Sequence, residues 1–126
     1  MTEHSILEFV SRSFRSVWPL ELLLVLYQEP RAGWEVEALA RQLRANAPVV
    51  TQGLSNLEAI GLVRADADRL YRFDPASSEL AEMAREVIAL YNQKPRAVLR
   101  AIFSAPSDRI QTFADAFRLR KDRDAC

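Results

Sequence analysis

The side chains with the most chemical reach in this sequence are few and scattered. One histidine, His4, and one cysteine, Cys126, stand at opposite ends of the chain. A metal site needs three or four such ligands at close spacing, and no cluster of that kind occurs. The paired carboxylates, Glu35 with Glu37 and Glu79 with Glu82, fall where helices should begin. A helix dipole favours negative charge there, so an exposed first turn accounts for them without acid–base chemistry. No phosphate-cradling glycine loop and no nucleophile elbow is present. The expectation is a protein that binds rather than one that catalyses, with no metal and no cofactor.

A second group suits recognition. Thr51, Gln52, Ser55 and Asn56 lie close together in the chain. Gln and Asn can pair with adenine edges, and Ser and Thr hydroxyls can donate to bases or phosphates. Arg41, Arg44, Arg64, Arg69 and Arg72 flank this group. Between residues 45 and 63, however, there is no Lys or Arg. Nucleic-acid affinity comes mainly from neutralising phosphates, so the flanking arginines would have to supply it.

Bulk composition neither forbids nor advertises such a partner. The 17 basic and 17 acidic residues cancel, whereas a strongly basic chain would have signalled nucleic acid outright. At 126 residues the chain suits one domain with a real core. Three glycines argue against many short strands, and the abundant Ala, Leu, Arg and Glu favour helix. A lone cysteine allows no intrachain disulfide, and the longest apolar run, Leu22 to Tyr27, is far too short to span a bilayer. A cytoplasmic protein with no membrane partner is expected.

These residues must be positioned by local elements. A first helix is predicted over about residues 5–17, with Ile6, Leu7, Val10, Phe14 and Val17 on one stripe. A second, over about 19–28, is apolar nearly all round and must be buried. A third covers about 35–44, with Val36, Leu39, Ala40 and Leu43 on one face. The fourth covers about 48–60 and should end at a left-handed Gly61. Its wheel places Val50, Leu54 and Leu57 inward, and Gly53 near the same edge for close approach to the third helix. Gln52 and Ser55 point outward, flanked by Thr51, Asn56 and Glu58. "LVRAD" and "RLYRF" then alternate as a short hairpin. Helices over about 75–92, 95–103 and 106–120 follow, each opened by a proline, with Asp74 as the cap of the first.

Residues 19–74, and above all "EALARQL" and "LEAIGLV", resemble the winged helix-turn-helix module of bacterial transcription regulators of the MarR, ArsR and PadR kind. The resemblance covers somewhat under half the chain. It implies a mainly α fold: a winged helix-turn-helix core over 19–74 within a single domain of 1–126, with flanking helices over 1–18 and 75–126. It implies a transcriptional regulator that binds double-stranded DNA. Thr51, Gln52, Ser55 and Asn56 would touch bases, and the five arginines would hold the backbone. The apolar stripes outside the core suggest a homodimer joined through Phe14, Val98, Ile102, Ile110, Phe113 and Phe117, which would set two recognition helices about 34 Å apart. The alternative is a winged-helix module that binds a protein partner with little or no DNA binding.

Overall fold

The computed structural model describes residues 2–103. The expected helix over 106–120, with Ile110, Phe113 and Phe117, lies outside them, as does Cys126. The described chain is mainly helical with one small antiparallel hairpin. The order is α1 (Glu3–Ser13), α2 (Val17–Gln28), α3 (Val36–Leu43), α4 (Ala47–Ile60), β1 (Val63–Ala65), β2 (Tyr71–Phe73), α5 (Ser78–Gln93) and α6 (Pro95–Phe103).

The first departure from expectation is a break between α1 and α2. Thr2 and Ser5 form a reciprocal capping box that starts α1. The helix stops at Ser13, four residues short of the expected end, and Pro19 explains why. In a helix running through from α1, Pro19 would lack the N–H that bonds to the Arg15 carbonyl, and its ring would clash with that same carbonyl. The chain turns out at Phe14, and Ser16 caps a new helix by accepting from the Trp18 N–H at 3.3 Å. Val17 thus opens α2 instead of closing α1, and Pro19 sits harmlessly in the first turn.

Helix α2 is the central rod. Leu20, Leu22, Leu23 and Leu26 are fully buried, as its all-round apolar sequence demands. Helix α4 lies across it, with Val50, Leu54 and Leu57 fully buried. The crossing is close because position 53 has no side chain. A Cβ there would come within 2.5 Å of Leu22 Cδ1 and 3.6 Å of the Pro19 nitrogen. Gly53 therefore admits α2, not α3 as the wheel suggested.

The ends of α4 follow sequence logic. Asn46 Oδ1 accepts from the Val49 N–H at 2.9 Å. Gly61 closes the helix at φ 96°, a left-handed conformation that a Cβ disfavours. The chain then enters the hairpin, with Val63, Arg64 and Ala65 opposite Phe73, Arg72 and Tyr71. Trp34, between α2 and α3, adds a bridge to the hairpin edge: its N–H donates to the Tyr71 carbonyl at 2.9 Å and its carbonyl accepts from the Tyr71 N–H at 2.8 Å.

Backbone pairing continues past β2. The Asp74 N–H donates to the Leu62 carbonyl and the Ala76 N–H to the Gly61 carbonyl. These bonds hold residues 74 and 76 to the chain just after α4, and α5 does not begin at Pro75 with Asp74 as its cap. Ser77 caps it instead, accepting from the Leu80 N–H at 3.1 Å.

Helices α1, α5 and α6 pack on one another, and their apolar faces join the same core as α2 and α4. Lys94 and Glu3 tie the end of α5 to the start of α1 at 3.0 Å. Phe14, Val98 and Ile102, expected at a dimer interface, are buried inside the single chain, with 3%, 0% and 6% of their surface exposed. The α1 and α6 stripes cover each other, which leaves these three side chains little to offer a second copy. Phe103, 64% exposed, is the exception at the end of α6. Among the described residues, no helix is long and apolar enough to cross a membrane.

The Gly53 crossing gives a stability test. Gly53→Val should lower the unfolding free energy by about 1–3 kcal/mol, the usual range for overpacking a closed core. Urea denaturation followed by circular dichroism would measure it.

Candidate nucleic-acid interface

The outward face of α4 is open. Thr51, Gln52 and Ser55 are exposed, as are Glu58 and Ala59. A groove of about 400 Å³ runs along one side of this face, between α4 and the start of α2. Gln52, Ser55 and Asn56 line it from α4, and Arg15, Trp18 and Pro19 line it from the α1–α2 break.

Asn56 corrects the expected set of base contacts. Its Oδ1 accepts from the Arg15 N–H at 3.0 Å, and its Nδ2 donates to the Ser13 carbonyl at 2.9 Å. Both ends of the amide are engaged with the α1–α2 break, so Asn56 braces that break and is less available to a base than the wheel suggested. The wheel placed it at the flank of the outward face, and the break brought a backbone within its reach. Thr51, Gln52 and Ser55 remain as the polar side chains facing solvent.

The five flanking arginines divide by their partners. Arg72 is locked. Its Nη2 donates to Asp66 Oδ2 and its Nη1 to the Arg31 carbonyl, each at 2.7 Å. It pins the hairpin to the loop after α2 and has little left for a phosphate. Arg64 pairs with Asp74 at 2.9 Å, but 78% of its side chain is exposed; such a surface pair is weak and readily exchanged. Arg41, Arg44 and Arg69 are exposed and make no ion pair among the described residues.

Arg44 and Arg69 share a further property. They are the non-glycine residues of the described chain with positive φ, at 55° and 62°. Left-handed backbone costs a residue with a Cβ roughly 1–2 kcal/mol. Arg44 ends α3, where glycine is the common choice. Arg69 lies in the hairpin turn, beside a depression that it shares with Glu35, Glu37 and Asp68. Those carboxylates offset its charge.

Asp66 organises the hairpin turn. Its Oδ1 accepts from the N–H groups of Asp68 at 2.8 Å and Leu70 at 3.0 Å, while Oδ2 takes the Arg72 guanidinium. The Leu70 amide, then the Arg72 side chain, hold the carboxyl below the usual aspartate range. Among the described residues no group of three or more His, Cys, Asp or Glu side chains is arranged to hold a metal ion.

Because folding lowers the Asp66 pKa, its contribution to stability is present above the unfolded aspartate value and fades as pH falls through the folded value. Asp66→Asn should therefore lower the urea midpoint at neutral pH, and the gap to wild type should close below the ordinary aspartate range. Paired urea titrations at neutral and acid pH check both halves. No protein-family model, curated protein or solved structure matches the chain.

Proposed function

We propose that the chain is a winged helix-turn-helix module that binds double-stranded DNA through α4, as a cytoplasmic transcriptional regulator would. The observation that carries this reading is the open outward face of α4, where Thr51, Gln52 and Ser55 stand exposed while the opposite face is sealed against α2. In this reading α3 and α4 are the helix pair, β1 and β2 are the wing, and the Trp34 bridge is the short strand that precedes the helix pair. A helix held this way can enter a major groove, where hydroxyls and an amide meet base edges.

Arg41 and Arg44 would hold phosphates, with Arg64 and Arg69 as weaker contributors. An arginine at the left-handed position 44, despite the backbone cost, fits a role that needs its side chain. A homodimer would draw on Phe103 and on Ile110, Phe113 and Phe117 beyond it, since Phe14, Val98 and Ile102 are covered.

One observation favours a second reading. The groove beside α4 carries Trp18, Pro19 and Val49 among its lining, a surface that would also seat an apolar side chain of a protein partner. Retention of labelled duplex DNA, measured at low and raised salt, separates the two. The DNA reading expects binding that weakens with salt; no retention even at low salt would leave the protein-binding module.

Two substitutions sharpen the test. Gln52→Ala should relax sequence preference at one base pair, by about 1–3 kcal/mol of discrimination. Arg44→Gly keeps the left-handed backbone and removes the cation. It should raise the thermal midpoint while weakening binding to all sequences alike. Calorimetry and anisotropy titration on the same preparation would read both effects.

A further inference from the structure

The outward face of α4 leaves a gap in the DNA reading: the helix that would read bases exposes Glu58 and brings no cation of its own. We propose that Arg15, in the α1–α2 break, is a phosphate-contacting residue of the same interface, and that Asn56 on α4 positions it. This inference rests on the proposed DNA reading and extends it to an element outside the winged core.

Three observations converge on Arg15. It is exposed, with no ion pair among the described residues. It lines the groove shared with Gln52 and Ser55, and among the described residues it is the only charged side chain of that lining. Its position on the surface is also held. The Asn56 amide grips the backbone on both sides of residue 14, at the Ser13 carbonyl and the Arg15 N–H. An arginine on a loose loop would lose much conformational freedom on binding, whereas one whose backbone is already fixed loses less.

The sequence explains why this residue is there. Pro19 forces the helix to break one turn earlier, and the break turns what would be a mid-helix Arg15 into a corner residue. The corner falls against α4 because α4 lies close over the start of α2 at Gly53. Asn56 then follows Gly53 by three residues, the spacing that carries a helix face one turn along. A duplex that presents base edges to Gln52 and Ser55 would bring the flanking backbone towards Arg15. The guanidinium would donate to a phosphate oxygen as a charge-assisted hydrogen bond.

The test is an anisotropy titration of a labelled random-sequence duplex over a range of salt, with wild type, Arg15→Gln, Arg15→Lys, Asn56→Ala and the Arg15→Gln/Asn56→Ala double variant. Loss of one phosphate contact should weaken Arg15→Gln several-fold at low salt and flatten the slope of log K against log salt by about 0.9. Arg15→Lys should keep the wild-type slope. Asn56→Ala should weaken binding in the wild-type background and add nothing in the Arg15→Gln background. Circular dichroism at the titration temperature establishes that each variant is folded, and Arg15→Gln tests the contact without disturbing the brace. If wild type binds but Arg15→Gln matches it in affinity and slope, the contact is overturned and the DNA reading stands. Equal losses from Asn56→Ala in both backgrounds overturn the positioning role. If wild type itself shows no binding at low salt, the Arg15 contact and the DNA reading it rests on both fall.

Discussion

The structure depends on the crossing of α4 over α2 at Gly53. With no side chain at that point, the α4 backbone settles against the Leu22 side chain and the first turn of α2. That contact fixes which face of α4 is sealed and which is open. Val50, Leu54 and Leu57 disappear into the core, and Thr51, Gln52 and Ser55 are left at the surface. It also sets the groove, because the start of α2 forms its opposite wall. A larger residue at 53 would press on the buried Leu22 side chain, which would have to move within the core.

The second constraint is Pro19, which acts at a distance of one turn. It ends α1 early and creates the corner that Asn56 braces. Each hydrogen bond of that brace contributes a net of about 0.5–1.5 kcal/mol. The brace links two parts of the fold: α1 packs with α5 and α6, and α4 packs on α2. A shift of the outer helices would therefore be felt at the exposed side of α4, through the Ser13 and Arg15 backbone. At the other end of the site, Asp66 and Arg72 tie the hairpin to the loop after α2.

Much of this was legible in the residues. The inward stripe of α4, the left-handed Gly61, the all-apolar α2 and the hairpin follow from spacing and residue type alone. What was not legible depended on tertiary partners. Ser77 prevailed over Asp74 as a cap because backbone hydrogen bonds hold Asp74 and Ala76 to Leu62 and Gly61, and both residue types are good caps in isolation. An apolar stripe announces that something covers it, without saying what: Phe14, Val98 and Ile102 are covered by their own chain. Arg64, Arg69 and Arg72 look alike in sequence, yet Asp66 and the Arg31 carbonyl claim only one of them. Arg15 was hidden by a helix boundary. The signal was present in Ser16 followed by Pro19, a cap and a proline at the spacing of a helix start. Gly53 was read as a close-approach residue, and only the fold could name α2 as the element it approaches.

The proposed DNA-binding surface is the open side of α4 joined to the braced corner beside it. Amide chemical-shift mapping by NMR, with a random-sequence duplex added stepwise at low salt, tests it most directly. If this surface meets the duplex, the largest changes fall at Thr51, Gln52, Ser55 and Arg15, with Arg44 following. Changes confined to α5 and α6, or none at all, would contradict it.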